Sequence, residues 1–155
     1  MGFFDKVKHF VGGHGCKVEL TEVERQQPGN VHLPRTDSVV KGRYRVTAEK
    51  DITVLAHIHR FAMRIPMQGG GFTTVTLSED RHDASTDIIG CPIKWPYELK
   101  AGQSVDDSFL VSDIDIPAAI QRQGNPAGAK FLVIVEADVK GTPVDANAEC
   151  EVHVD

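Results

Sequence analysis

The sequence KFLVIVEADVKGTPVDANAECEVHVD, residues 130–155, is the part of the chain that decides the fold. Its first half is a nearly continuous apolar run, which is typical of a buried strand. After the turn residues KGTP, apolar and polar residues alternate without exception from Val144 to Asp155, so one face of this segment is apolar and the other polar. Two such segments joined by a short turn predict an antiparallel β-hairpin.

The same period of two recurs nearer the N-terminus. Residues 16–21 alternate from Cys16 onward, and residues 40–47 place Val40, Gly42, Tyr44 and Val46 on one face. A further strand is predicted around residues 72–77, and the polar stretch SEDRHDASTD follows it as a connection. The segment DIIGCPIKWPYELKAG contains two prolines and therefore favours an edge strand or a broken strand.

The segment DITVLAHIHRFAMRIP, residues 51–66, changes phase along its length. Its apolar residues share one face as far as Ile58, but from Phe61 onward they fall on the opposite parity. This change predicts a bulge or bend near His59 or Arg60. His57 lies two residues before His59, so both imidazoles share one face of the strand, which we expect to be the solvent side.

A helical period is confined to the N-terminus. In MGFFDKVKHFVGGHG the residues Phe3, Val7, Phe10 and Val11 form one apolar stripe, which predicts a short amphipathic helix over residues 1–12. Gly12 follows the last turn and would end it. We expect this helix to dock on its own domain or on a subunit partner rather than on a membrane.

These segments together predict an all-β fold. Seven or more strands, separated by Gly, Pro and Asp turns and without a second long helix, indicate a two-sheet antiparallel β-sandwich. The 155 residues, with 41% hydrophobic and 25% charged content, suit one domain spanning residues 1–155. Enzymes of the doubly wound class are excluded by the same strand pattern.

Charge and cysteine usage limit the partners and the location. The net charge of −5 and the absence of a basic run argue against binding to nucleic acid. Cys16, Cys91 and Cys150 are odd in number and form no CxxC pair, which agrees with an intracellular protein. No apolar run has the length of a transmembrane helix or of a secretory signal. We therefore expect a cytoplasmic protein without stable membrane insertion.

The order of the segments resembles that of the bacterial sporulation-control proteins. MGFFDKVKHFVGGHGCKVEL is similar to the start of that family, VVKGRYRVTAEKDITVLAHIHRF to its strand, turn and strand, and FLVIVEADVKGTPVDANAECEVHV to its closing hairpin. The resemblance implies an arrestin-like, immunoglobulin-like sandwich and a non-enzymatic regulatory protein that works through protein contacts. It supplies no catalytic residues. Family members usually carry two such lobes, whereas this chain suffices for one.

The two histidines at His57 and His59 admit two interpretations. A zinc site needs a third or fourth ligand, and no nearby Cys, HxxxH motif or carboxylate pair supplies one. The other histidines, His32, His82 and His153, would reach the pair only through the fold. We expect solvated residues on a strand surface, and metal or small-molecule binding through His57 and His59 is the alternative.

Two further groups of residues were candidates for chemistry. Four aspartates raise the question of a calcium site, namely Asp106, Asp107, Asp113 and Asp115. They lack the spacing of a calcium-binding loop, so we expect a charged solvent face. Cys16 and Cys150 lie on apolar strand faces and are expected to be buried hydrophobes. The sequence thus predicts no catalytic, cofactor-binding or metal-binding residue, and no cofactor.

The sequence as a whole favours a non-enzymatic interaction module. We expect it to bind protein partners by strand addition at an exposed sheet edge and by apolar contacts from the N-terminal helix. One alternative is the metal- or small-molecule-binding sandwich that uses the two histidines. A second alternative is a structural homo-oligomer assembled through the helix.

Overall fold

The described part of the chain consists mainly of β-strands. A computed structural model describes residues 7–9, 15–24, 26–27, 30–33, 38–86, 93–114 and 128–154. Their strands are β1 (Val7–His9), β2 (Cys16–Val23), β3 (Gln26–Gln27), β4 (Asn30–Leu33), β5 (Ser38–Ala48), β6 (Ile52–Pro66), β7 (Phe72–Asp83), β8 (Tyr97–Leu99), β9 (Ser104–Ile114), β10 (Lys130–Val139) and β11 (Ala146–Val154). A short 3-10 helix, Ala84–Thr86, follows β7.

Two sheets pack face to face. The larger sheet has the order β3-β4-β11-β10-β6-β7, with β1 added to β11 and β8 added to β6. The smaller sheet has the order β2-β5-β9. Pairing is antiparallel except between β4 and β11, which run parallel over two residue pairs. The predicted all-β, two-sheet architecture is confirmed.

The hairpin predicted at the C-terminus is confirmed. Strands β10 and β11 pair from Phe131 opposite Val152 to Ala137 opposite Ala146. The interior residues of β11 are Ala146, Ala148, Cys150 and Val152, as the alternation predicts. Val144 lies before the strand and is 58% exposed, so the buried face begins two residues later than expected.

The helix predicted over residues 1–12 is wrong at Val7–His9. These residues form β1, which pairs antiparallel with β11, Val7 lying opposite Cys150. Residues 1–6 and 10–14 lie outside the described part of the chain. An isolated helix of this length is marginal in water, whereas pairing with an available strand satisfies the backbone groups directly. Among the described residues, no helix has the length and apolar character that crossing a bilayer requires.

The phase change within β6 occurs earlier than predicted. Opposite β10, the register shifts so that Asp138 faces Ala56 and Val139 faces Val54, which makes Leu55 an extra residue. Beyond this bulge the odd-numbered residues face the interior, whereas before it the even-numbered ones do. A second irregularity lies between Phe61 and Ala62, against β7. The bend predicted near His59 is therefore displaced to Leu55, on the N-terminal side of both histidines.

Other connections differ from the sequence interpretation. Strand β7 does not end near Leu77 but continues to Asp83, through residues that the sequence assigned to a connection. Between β2 and β5, residues 26–27 and 30–33 form the short strands β3 and β4. In the described part of the proline-containing segment, residues 93–102, the only strand is β8, which agrees with a broken strand at the sheet edge.

A hydrophobic core fills the space between the sheets. The smaller sheet contributes buried side chains that include Val18, Leu20, Tyr44, Val46 and Phe109, and the larger sheet contributes Val54, Phe61, Val133, Val135 and Ala148. The other face of the larger sheet carries ion pairs, because Arg60 contacts Glu136 and Arg64 contacts Glu149. Among the described residues, the space between the sheets is apolar except where His57 and His59 of β6 contact β5 and β9.

Candidate functional site

The two histidines of β6 lie inside the sandwich. His57 and His59 are both 0% exposed, and their hydrogen bonds reach the smaller sheet. The expectation that they are solvated surface residues is wrong. Its physical cause is the extra residue Leu55, which turns the odd-numbered positions of β6 inward.

A hydrogen-bonded chain connects these histidines to the opposite sheet. Tyr44 of β5 donates its hydroxyl proton to Oδ2 of Asp107 at 2.9 Å, and the same oxygen accepts Nδ1–H of His57 at 2.9 Å. The other nitrogen of His57, Nε2, lies 2.5 Å from the hydroxyl of Tyr97. Since a neutral imidazole has one donor and one acceptor, this nitrogen accepts the Tyr97 proton.

The position of the proton on His59 follows from the same count of hydrogen-bond donors and acceptors. The Tyr44 hydroxyl has one proton, and it is directed at Asp107. Nε2 of His59, 2.8 Å from the Tyr44 oxygen, must therefore be the donor of that hydrogen bond. The neutral ring then carries its lone pair on Nδ1. That atom is buried and has no hydrogen-bond partner among the described residues.

Strand β7 brings two further polar side chains to His59. In the register of the sheet, His82 lies opposite His57 and Asp80 lies opposite His59. Nε2 of His82 is 3.0 Å from Oδ2 of Asp80, and Nδ1 of His59 is 3.6 Å from the same oxygen. The side chains of His82 and Asp80 are 22% and 44% exposed, so the cluster reaches solvent along the edge of the sheet.

Burial controls the ionisation of the cluster. It lowers the pKa of His59 to about 4, with repulsion from His82 acting in the same direction, and it lowers the pKa of His57 against the attraction of Asp107. Burial opposes ionisation of Asp107, but hydrogen bonds from His57, Ser108 and Tyr44 bring its pKa below the ordinary value. At neutral pH the site thus contains two neutral buried imidazoles and one buried carboxylate.

Three of these residues have the arrangement of metal ligands. His59, His82 and Asp107 each offer one ligand atom, and these atoms all lie within 4.8 Å of one another. From the sequence, His82 is expected in a connection and could reach the pair only through the fold, and Asp107 is expected on a solvent face. The extension of β7 through SEDRHD would have identified His82, because a strand paired with β6 carries it directly opposite His57.

Aromatic rings close the cluster on the side of β8. Trp95 lies edge-on to His57 with ring centroids 4.5 Å apart, and Tyr97 lies 5.5 Å from the same ring. Trp95 is partly buried and packs against the core. Two surface cavities of about 370 and 430 Å³ lie elsewhere and are lined by other residues. The cluster itself is a packed network of polar and aromatic side chains.

Asp106 and Asp107, the two candidate aspartates whose side chains the structure describes, lie in different surroundings. Strand alternation puts Asp106 and Asp107 on opposite faces of β9, where Asp106 pairs with Arg45 at 2.8 Å on the surface and Asp107 turns inward, its side chain 13% exposed. The expected solvent face is therefore wrong for Asp107. The side chain of Asp113 and the whole of Asp115 lie outside the described part of the chain.

The cysteines are buried as predicted where the structure describes them. Cys16 and Cys150 are free thiols in the core. Burial raises the pKa of Cys16 to about 11 and that of Cys150 to about 12, so both are protonated at neutral pH and unsuited to nucleophilic attack. Cys91 lies outside the described residues.

Comparison with known proteins identifies the fold. No protein-family model matches the chain, and no curated protein matches it. Among solved structures, it is similar to Spo0M, a sporulation control protein from Bacillus subtilis, with a TM-score of 0.61 and 12% sequence identity. The match covers 94% of this chain and 50% of the Spo0M chain, so the protein spans about half of that length. The chain therefore shares the fold of that structure, a two-sheet β-sandwich, which agrees with the arrestin-like sandwich that the sequence resemblance implies.

Proposed function

We propose that the protein is a non-enzymatic regulatory module of the bacterial cytoplasm, which binds an extended segment of a partner protein at the free edge of β7. The module is one sandwich domain spanning residues 1–155. The fold that it shares with a sporulation control protein supports a regulatory role. Strand addition is the mode of binding that an unpaired sheet edge favours, because the edge presents a row of free backbone donors and acceptors.

The observation that carries this proposal is the composition of the β7 edge. Strand β7 pairs with β6 on one side, and among the described residues no strand pairs with its other side. Its first half, FTTVTLS, is rich in β-prone Thr and Val and has no charged side chain. Natural edge strands are commonly protected by charge or proline, and this half has neither.

The surroundings of this half-strand leave it accessible. Phe72 is 64% exposed and the preceding Met67 is 55% exposed, so both offer apolar contact area to a bound segment. The connection between them contains Gly70 at a φ of +100°, with no atom within 4 Å of the position that a Cβ would occupy. The second half of β7 carries an ion pair between Arg81 and Asp83, and its charges would limit pairing to the first half.

A charge placed on this edge tests the proposal. We expect Thr76→Lys to lower the affinity for a captured partner at least tenfold, because the lysine puts an unpaired charge at the strand-addition site. The matched control is Val39→Lys, which adds the same charge at a 43% exposed position on β5, the central strand of its sheet. The measurement is capture from the native cytoplasm, followed by titration of the purified partner.

Hydrogen exchange of the complex locates the contact. Binding should protect amides of residues 72–78 and leave those of β2 and β9 at their free rates. A partner that binds the Thr76→Lys variant as tightly as the unmodified protein, or that protects a different edge, contradicts the proposal.

A further inference from the structure

We propose that the protein binds one divalent first-row transition metal ion, with Zn²⁺ as the reference ion, between His59, His82 and Asp107. This site is separate from the β7 edge in the proposed function and stands or falls without it. It differs from the pairing of His57 with His59 that the sequence suggests, because His57 is already held by Asp107 and Tyr97.

The lone pair of His59 is the first argument. Nδ1 has no hydrogen-bond partner among the described residues, and the hydrogen bond of Nε2 to Tyr44 fixes the proton on the far side of the ring. A buried acceptor without a donor costs free energy. Its nearest charged neighbour is the Asp80 carboxylate at 3.6 Å, which offers another lone pair and no proton. A cation placed between them would satisfy both.

The ligand set is the second argument. Two imidazoles and a carboxylate suit Zn²⁺ and its neighbours in the first transition row, whereas Ca²⁺ and Mg²⁺ prefer oxygen ligands alone. The ligand atoms of His59, His82 and Asp107 lie within 4.8 Å of one another. Bonds of about 2.0–2.1 Å around a tetrahedral Zn²⁺ would bring such atoms to about 3.3 Å apart. His82 lies on the edge strand and its side chain is 22% exposed, so it is the ligand with the fewest packing constraints on the movement that binding requires.

The orienting contacts of a metal site are also in place. Ligating histidines commonly donate their other N–H to a fixed acceptor, and Nε2–H of His59 donates to Tyr44. Asp107 is held by Tyr44, His57 and the backbone N–H of Ser108. Asp80, 3.0 Å from Nε2 of His82, would be the fourth ligand or the acceptor that orients that imidazole.

Strand alternation supplies matched variants for the test. On β7, Asp80 and His82 face the cluster, whereas Glu79 and Arg81 face the other side of the sheet and pair with Arg60 and Asp138. The variants are His82→Ala and Asp107→Asn, and the controls are Glu79→Gln and Arg81→Ala. His82 is partly exposed and lies on an edge strand, so its replacement is expected to leave the metal-free fold intact, as circular dichroism would verify.

The experiment is calorimetric titration of Zn²⁺ into tag-free, chelator-treated protein at pH 7.5. We expect one saturable site per chain, at least tenfold weaker in His82→Ala and in Asp107→Asn and unchanged in the two controls. Co²⁺ should give the visible absorption of a tetrahedral site, and Ca²⁺ should give no binding. Zn²⁺ should also raise the unfolding temperature of the unmodified protein but not that of His82→Ala.

Three outcomes would overturn the site. One is the absence of saturable Zn²⁺ binding. A second is equal binding by His82→Ala, which would mean that the ion is bound by other histidines of the chain. Loss of binding by the controls as well would show an unspecific effect of altering β7, and it would equally count against the proposed ligands.

Discussion

Tyr44 connects the two sheets through a single oxygen atom. The hydroxyl donates to Asp107 and accepts from His59, and the ring is fully buried among core residues. The burial of Tyr44, together with the charge on Asp107, raises the pKa of its phenol well above the ordinary value, so the hydroxyl keeps its proton. The residue therefore orients His59 and is one of three hydrogen-bond donors to the carboxylate of Asp107.

Removing this oxygen should destabilise the protein. We expect Tyr44→Phe to lower the free energy of unfolding by about 1–3 kcal/mol, because the buried groups Asp107 and His59 each lose a partner. Urea unfolding followed by circular dichroism measures the change. Arg45→Ala is the control, since Arg45 is the next residue on β5 and pairs with Asp106 at the surface. An equal effect of the two substitutions would contradict a special role for the buried hydroxyl.

At the scale of single strands, β2 and β5 approach each other closely at Gly42. Gly42 lies beside the register shift of β2, between Leu20 and Glu22. A Cβ at this glycine would lie 2.0 Å from the carbonyl oxygen of Glu22 and 2.9 Å from the ring of Phe109. Only a residue without a side chain permits this approach of β2 to β5.

This contact gives a prediction for the strand pair. We expect Gly42→Ala to cost about 1–3 kcal/mol of stability, because the backbone of β2 must move away from the added methyl group. Thermal unfolding and the hydrogen exchange of β2 amides would measure it. Lys41→Ala, at the adjacent exposed position, should change neither. A Gly42→Ala protein as stable as the unmodified one would show that β2 shifts without cost.

The strands differ in how well their sequences predicted them. The hairpin of β10 and β11 and the buried face of β5 were confirmed because an uninterrupted alternation has only one register that buries its apolar face. Strand β6 was misread because one extra residue, Leu55, leaves no mark in composition. Strand β7 was predicted too short, because a charged edge strand and a polar loop have similar sequences. Both errors concern the candidate site, which is formed where these two strands pair.

For the whole molecule, the sequence was informative about architecture and uninformative about the cluster. Many short alternating segments are sufficient to predict a two-sheet sandwich. The contact of Tyr44 with His59 and Asp107 depends on how one sheet is placed over the other, and no local pattern encodes that placement. The prediction of an N-terminal helix was wrong for a related reason, since Val7–His9 pair with β11, which lies at the other end of the sequence.

The two faces of the larger sheet should give opposite responses of stability to pH. The pKa of His59 is about 4 in the folded protein and 6.5 in the unfolded chain. Between these two pH values the unfolded chain binds more protons than the folded protein, so the free energy of unfolding rises with pH. Glu136 behaves oppositely, because burial and a hydrogen bond with Asp145 raise its pKa from 4.5 to about 7 despite Arg60. Between pH 4.5 and 6.5 the two effects offset each other.

Replacing Glu136 should reveal the contribution of the buried histidines to the pH dependence of stability. We expect Glu136→Gln to make the stability of the protein rise between pH 4.5 and 6.5, by an amount on the order of 3 kcal/mol, because His59 and His57 then act unopposed. Urea unfolding at intervals of pH measures the slope. The unmodified protein should show a flatter profile in the same range. An equally flat profile for the variant would contradict the buried, neutral state of the histidines.

The bulge at Leu55 determines which chemistry the interior contains. A bulge exchanges the faces of the odd- and even-numbered residues that follow it. Paired residue for residue without the bulge, the same sequence would send Ile58 and Arg60 toward the core and His57 and His59 toward the outer face, giving a guanidinium in place of two imidazoles. Deletion of Leu55 itself would leave every later residue of β6 opposite the same residue of β10, so the gene could lose this one codon and keep the cluster.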